Sequence, residues 1–175
     1  MPTGNTAFDV GTGTGLLAAI LSRRGMHHVV ATDNNPRAIA CARENLQRLK
    51  VNATIVETDL FPPGRADLIV CNPPWIPAAP ATLLDQAVYD EDGRMLRAFL
   101  GTVRDHLEPG GEVWLILSDL AERLGLREDG ELLGMFRSGG LQVAGRADAV
   151  PRHRRARDGE TTSLWRLRFV STIGG

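Results

Sequence analysis

The chain of 175 residues is predicted to be an α/β protein, an open and mostly parallel sheet with helices on both faces. Three observations predict it. Strand-like and helix-like runs alternate along nearly the whole chain. A glycine-rich turn, Asp9-Val10-Gly11-Thr12-Gly13-Thr14-Gly15, joins the first strand-like run to the first helical one. Two further acids, Asp33 and Asp59, stand at the ends of the second and third strand-like runs, where ligands bind such sheets.

The elements follow in order. Thr6 to Val10 is a short apolar strand ending in glycines, and Leu16 to Arg24 is a compact helix stopped by Gly25. Val29 to Asp33 reads as the second strand. Pro36 to Leu49 reads as a helix, with Asn34 or Asn35 as its cap and Pro36 in the first turn, where a missing N–H costs little. Its apolar positions Ile39, Ala42, Leu46 and Leu49 recur at helical spacing. Strands are expected from Thr54 to Thr58 and from Asp67 to Cys71, followed by a proline-rich break from Asn72 to Pro80. Arg94 to Leu107 is predicted helical, with Met95, Phe99, Val103 and His106 or Leu107 on one side. Pro109-Gly110-Gly111 reads as a turn before the apolar strand Glu112 to Ser118. Glu128 to Arg137 reads as a helix ended by Gly139-Gly140, and strands near Leu141 to Ala147 and Ser163 to Val170 flank a basic loop.

Residues 1–175 fit one domain with a core of its own. The first strand starts almost at the first residue, so an upstream recognition segment is expected to be missing. Apolar residues make up 43% and charged residues 23%, which disfavours both disorder and a disulfide scaffold. Lys plus Arg (20) nearly balances Asp plus Glu (21), so the overall field draws the chain to neither nucleic acid nor membrane. Cys41 and Cys71, widely spaced and without a His or Asp cluster, point to a reduced cytoplasmic protein with no metal site. Neither a membrane span nor a signal peptide is visible, and no membrane partner is expected.

The glycine turn differs from the dinucleotide pattern G-x-G-x-x-G. The third glycine comes one residue early, at Gly15, Leu16 fills the dinucleotide position, and an acid sits two places before the first glycine. The turn resembles motif I of the class I S-adenosylmethionine-dependent methyltransferases. That resemblance implies a Rossmann-like, seven-stranded sheet with a C-terminal antiparallel strand. It implies S-adenosylmethionine as methyl donor and S-adenosylhomocysteine as product. In the family the loop carbonyls hold the amino group of the methionine moiety, and the motif's acid, Asp9 in this chain, orients the loop or reaches that group through water. Carried over residue by residue, donor contacts fall to Asp9, Gly11, Thr12, Gly13, Gly15, Asp33, Asn34, Asp59, Leu60 and Asn72. Asp33 lies about 20 residues past the loop, the distance at which an acid meets ribose hydroxyls. Asp59 corresponds to the acid that accepts from the adenine amino group, and Leu60 and Phe61 are candidates to line the adenine. Each feature also has a plainer reading: Asp33 as a helix cap, Asp59 as a turn former.

Asn72-Pro73-Pro74-Trp75 follows the fourth strand. It resembles the [Asn/Asp]-Pro-Pro-[aromatic] motif of methyltransferases that modify planar nitrogen. The chemistry accounts for the residue types. An amide or exocyclic amine nitrogen is a poor nucleophile because its lone pair is delocalised. The Asn72 side-chain oxygen and the Pro73 carbonyl can each accept one N–H of the target NH₂, holding its nitrogen toward the methyl group as positive charge develops. Pro73 and Pro74 stiffen the backbone that presents these acceptors, and Trp75 offers a face for stacking. The plainer reading is a proline turn with a packed tryptophan. With Ile76-Pro77 the segment resembles the HemK family of release-factor glutamine methyltransferases, although Trp75 stands where tyrosine is usual and the family's N-terminal bundle is expected to be missing. Tyr89-Asp90-Glu91-Asp92-Gly93-Arg94 is better read as a helix cap than as part of that resemblance.

Arg152-His153-Arg154-Arg155-Ala156-Arg157 forms a basic cluster. Arg152, Arg154, Arg155 and Arg157 are candidates for nucleic-acid contact, but no aromatic residues are interleaved and a solvated loop is the commoner meaning. His27 and His28 are expected at the surface and His106 near a helix end. No His pairs with a plausible nucleophile, so hydrolase chemistry has little support. The leading expectation is therefore an N-methyltransferase whose acceptor is a protein glutamine amide. A nucleobase, adenine N6 or guanine N2, comes second. A donor-binding module that needs a partner is a third reading, and a nicotinamide oxidoreductase, argued against by Gly15 and Asn-Pro-Pro-Trp, is a fourth.

Overall fold

The structure is a computed structural model, and it describes residues 4–77, 90–152 and 158–170. Seven strands make one sheet in the order β3-β2-β1-β4-β5-β7-β6. They are β1 (Thr6–Val10), β2 (His28–Asp33), β3 (Thr54–Glu57), β4 (Ala66–Cys71), β5 (Leu107–Ser118), β6 (Leu141–Ala149) and β7 (Thr162–Phe169). β1 pairs in parallel with β2 and β4, and β2 with β3, whereas β6 and β7 are antiparallel. This is the predicted Rossmann-like architecture with its C-terminal antiparallel strand. The helices are α1 (Leu16–Arg23), α2 (Pro36–Arg48), α3 (Arg94–His106), α4 (Leu120–Arg123) and α5 (Glu131–Ser138). Two compact units are distinguished, Met1–Asn72 with Val103–Trp114, and Pro73–Thr102 with Leu115–Gly175.

In the first unit, β1 is the central strand. Ala7, Phe8, Asp9 and Val10 are all buried, as expected of a parallel strand covered on both faces. Its start is tied to β4: the backbone N–H groups of Asn5 and Thr6 donate to the Asp67 carboxylate at 2.8 and 2.9 Å. α1 and α2 pack around Ala18, Leu21, Ala31, Leu46, Leu68 and Val70. α2 forms as the sequence predicts, with Pro36 in its first turn. Asn35 rather than Asn34 is the cap, its side chain accepting from Arg37 N–H at 3.0 Å. The strand order reverses at β1, between β2 and β4, and so creates the switch point at which open α/β sheets bind ligands.

Three sequence expectations shift. β5 extends back to Leu107, so the Pro109-Gly110-Gly111 turn lies inside it as a kink, Gly110 taking φ +82°. α5 starts at Glu131, because Glu128 to Gly130 form a turn in which Glu131 N–H donates to Glu128 O at 3.1 Å. On α3 the buried positions are Leu96, Phe99, Leu100 and Val103, and Leu96 takes the place expected of Met95.

In the second unit, Asp90 is the α3 cap that the sequence favoured. Its carboxylate accepts from Met95 and Leu96 N–H at 2.9 and 3.2 Å. Tyr89 lies outside the described residues. The end of β5 is clamped to the start of β7. Ser118 Oγ donates to the buried Glu160 at 2.8 Å, while Asp119 N–H donates to Thr161 O at 3.0 Å and Asp119 Oδ1 accepts from Thr161 N–H at 2.8 Å. Among the described residues no helix is long and apolar enough to cross a membrane.

Candidate functional site

The carboxyl ends of four adjacent strands carry the residues singled out in the sequence. Val10 pairs with Thr32 on one side and Cys71 on the other, and Asp33 pairs with Glu57. The glycine loop after Val10 therefore emerges between Asp33 at the end of β2 and Asn72 just past β4.

Every turn of that loop is pinned. Asp9 is completely buried, and its Oδ2 accepts from Thr12 Oγ1 at 2.6 Å and from Ala18 N–H at 2.9 Å. Thr12 N–H donates to Thr32 O at 2.8 Å, and Gly15 N–H returns to Thr12 O at 2.9 Å. Asn45 on α2 reaches across to Thr14 O at 3.0 Å. Asp33 completes the frame: Oδ2 accepts from Gly13 N–H and Oδ1 from Asn35 N–H, both at 2.9 Å. Asp33 is therefore not the cap of α2, which is Asn35; it ties the glycine loop to the residue that caps the helix. A carboxylate has about four lone-pair sites, and two remain for hydroxyl donors.

The loop glycines have opposite surroundings. Gly15, at φ +81°, faces α2, where an added Cβ would lie 3.3 Å from Ala42 Cβ and Leu46 Cγ. Gly13, at φ +55°, faces open space, with nothing within 4 Å of a Cβ placed there. A left-handed backbone with no side chain and free space beyond it suits close approach of a ligand.

Burial is also the main reason why the Asp9 carboxyl is pushed up to about 6, partly countered by the bonds from Thr12 and Ala18, with the nearby Asp33 charge adding to the rise. Its Oδ1 is buried with no hydrogen-bond partner. The same burial raises the Cys71 thiol well above its ordinary value, which makes it a packing residue of β4 and a poor nucleophile. This donor set of carboxylates and backbone amides, with an open position at Gly13, fits an adenosine ligand bearing hydroxyl and amino groups.

At the end of β3, Asp59 is exposed and accepts from Asn34 Nδ2 at 3.2 Å, so these two expected contacts meet each other. Leu60 takes φ +57°, a costly conformation for a leucine, and is held there by Thr32 Oγ1 donating to its carbonyl at 2.6 Å. The ring of Phe61 is buried and stacks on His106, with centroids 4.5 Å apart and 7° between planes, while His106 Nδ1 lies 3.1 Å from Gly64 O. Phe61 thereby anchors the β3–β4 loop. Thr32 and Asn45 were missed in the sequence. The signal for Thr32 was available, a polar residue inside an apolar strand directly before Asp33; Asn45 carries none.

Asn72 is exposed at the end of β4. In the second unit Pro73 is buried, Pro74 and Trp75 are half-buried, and the Trp75 indole N–H donates to Ile116 O on β5 at 3.2 Å. The indole is thereby fixed in orientation, and Trp75 is both packed and partly open. Asp90 N–H donates to Ile76 O at 2.7 Å and closes the segment behind it. Of the basic cluster, Arg152 is exposed, and Arg154, Arg155 and Arg157 lie outside the described residues.

Residues 1–128 match the family described as methyltransferase small domain. A release factor glutamine methyltransferase of Geobacter sulfurreducens is 33% identical over 150 residues, covering 77% of this chain and 50% of that protein. Its counterpart in Deinococcus radiodurans is 34% identical over 159 residues, 83% of this chain and 55% of that protein. The chain spans about half the length of these curated relatives. Among solved structures, a ribosomal protein L11 methylase from Lactobacillus delbrueckii subsp. bulgaricus has a TM-score of 0.69 at 21% identity, covering 97% of this chain and 72% of that one. Likeness at that identity speaks to the fold.

Proposed function

The chain belongs to the methyltransferase small domain family, and we infer from this that it transfers a methyl group from S-adenosylmethionine to a planar nitrogen, the side-chain amide of a protein glutamine. The observation that carries the reading is the pairing of Val10 with Cys71. It brings the start of the glycine loop and Asn72 to neighbouring strand ends at the switch point of the sheet.

Asp9, Gly11, Thr12, Gly13 and Gly15 shape the loop that receives the donor's methionine moiety. Asp33 serves its ribose hydroxyls, and Asn34, Asp59 and Leu60 border its adenine. When bound, S-adenosylmethionine supplies a methyl group on a sulfonium, an excellent leaving group. The chain's task is then to orient a weak nucleophile. The Asn72 side-chain oxygen and the Pro73 carbonyl each accept one N–H of the target amide and hold its nitrogen in line. As the nitrogen gains positive charge those two acceptors bind it more strongly, which lowers the barrier without a strong base. Pro73 and Pro74 fix the backbone in advance, and Trp75, held by Ile116 O, bounds the acceptor's flat face.

The glutamine reading is supported by Asn-Pro-Pro-x-Ile-Pro and by the release-factor methyltransferases among the relatives. A nucleobase is the second reading, favoured by the arginine run from Arg152 to Arg157. Both place the reaction in the cytoplasm, and we treat residues 1–175 as one catalytic domain. Incubation with methyl-labelled S-adenosylmethionine, an unmethylated release factor and total transfer RNA separates them. Label in a glutamine of the protein is expected; label in the RNA alone would replace the first reading by the second.

A further inference from the structure

Arg127 is buried, yet it sits in a segment the proposed chemistry does not use. Its side chain is 5% exposed, and among the described residues its guanidinium is hydrogen-bonded through NH1 to Glu122 Oε1 at 3.2 Å. Arginine–carboxylate pairs are frequently bidentate, the fork taking both oxygens. Here Glu122 Oε2 is left buried without a partner, and the other Arg127 N–H donors meet no protein acceptor among the described residues. Arg127 borders a cavity of about 190 Å³, whose lining also includes Pro77, Asp92, Arg97, Leu126 and Glu131. Pro77 stands two residues past Trp75, at the end of the Asn-Pro-Pro-Trp-Ile-Pro segment.

The lining indicates what the cavity takes. It carries two bases, Arg97 and Arg127, and two acids, Asp92 and Glu131; Arg97 pairs with Glu131 at 3.4 Å, and Arg127 is paired outside the lining with Glu122. A phosphate would meet those carboxylates unfavourably. A carbonyl oxygen completes the guanidinium without changing the net charge. Pro77 and Leu126 supply apolar walls, and the volume lies below the roughly 300 Å³ of ordinary small-molecule sites. It suits one side chain and the peptide unit that bears it.

We propose that this cavity receives the residue flanking the methylated glutamine of a protein acceptor, with Arg127 donating to that residue's backbone carbonyl. The proposal rests on the glutamine-methyltransferase reading and makes Arg127 a specificity-determining residue for its acceptor.

The test uses the full chain saturated with S-adenosylhomocysteine and a fluorescein-labelled release-factor peptide that spans the target glutamine, read by anisotropy. Glu122→Gln keeps the guanidinium and should bind the peptide within twofold of the unchanged chain. The double variant Glu122→Gln with Arg127→Met removes the donors without stranding a buried charge, and should weaken the peptide at least tenfold while S-adenosylhomocysteine affinity stays constant. Equal peptide affinity in the two variants would overturn the proposal, as would an unchanged chain that binds S-adenosylhomocysteine but not the peptide. An RNA hairpin whose binding, unlike the peptide's, depends on Arg127 would replace the carbonyl by a phosphate. Failure of S-adenosylhomocysteine itself to bind would count against the methyltransferase reading and not against Arg127 alone.

Discussion

Gly13 and Gly15 share a left-handed backbone but should respond differently to the same methyl group. Either Gly→Ala substitution places an L residue at positive φ, at a cost of about 1–2 kcal/mol. At Gly15 the new Cβ also presses on Ala42 Cβ and Leu46 Cγ, each 3.3 Å away. Overpacking of that kind costs about 1–3 kcal/mol more. Both variants regain about 0.4–1 kcal/mol through a stiffer unfolded chain, so the difference between them is the cleaner quantity. Gly15→Ala should be the less stable by about 1–3 kcal/mol in urea or thermal unfolding. Donor affinity should follow the reverse order. The Gly13 methyl enters the open space at the loop, so Gly13→Ala should weaken S-adenosylhomocysteine by about tenfold or more, 1.4 kcal/mol. Gly15→Ala should bind it within a few-fold wherever it remains folded. Equal destabilisation of the two variants would refute the packing argument. Unchanged affinity in Gly13→Ala would refute the assignment of that space to the donor.

Three further outcomes are expected. The Asp9 carboxyl should titrate near pH 6, not near its ordinary 3.8. Because the folded value is raised, the folded chain holds this proton more tightly than the unfolded one. The group's contribution to stability is then greatest below pH 3.8 and falls by about 3 kcal/mol as pH rises through 6. A carbon-13 carboxyl titration reads the midpoint, and a value near 4 would contradict the burial argument. Asp33→Ala should weaken S-adenosylhomocysteine by about 1–3 kcal/mol in calorimetry, through lost hydroxyl contacts and a freed Gly13 N–H; unchanged affinity would leave Asp33 a structural tie between the glycine loop and Asn35 only. Trp75→Phe keeps an aromatic ring but removes the N–H bonded to Ile116 O. It should lower stability by about 0.5–1.5 kcal/mol and raise KM for the acceptor while donor affinity holds, and an unaltered KM would deny the ring a part in acceptor binding.

The placement of the candidate site's residues was legible because it is local. The glycine turn, Asp33 and Asn72 each lie at a strand end, and apolar runs bounded by Gly, Pro and Asn locate strand ends well. The α2 cap was legible for the same reason, down to the pair of asparagines that contained it. What escaped depends on partners distant in sequence. The stacking of Phe61 on His106, at the far end of α3, has no trace in the local sequence around either residue. The four-residue helix α4 has no room for a periodic pattern. Arg127 reads as one more surface charge in a polar stretch, and only its burial against Glu122 sets it apart. The kink in β5 was read as a turn because Pro-Gly-Gly has the composition of one, while the ladder that runs past it is a tertiary fact.

The central claim is that Asn72 orients a planar nitrogen for methyl transfer, and the Asn72→Ala variant tests it most directly. S-adenosylhomocysteine affinity by calorimetry should remain within a few-fold of the unchanged chain. Transfer to the release-factor glutamine should fall by about 10²–10³, the usual cost of removing one aligned group that stabilises developing charge. A variant that keeps normal turnover would take Asn72 out of the mechanism and leave the chain's chemistry to be sought elsewhere.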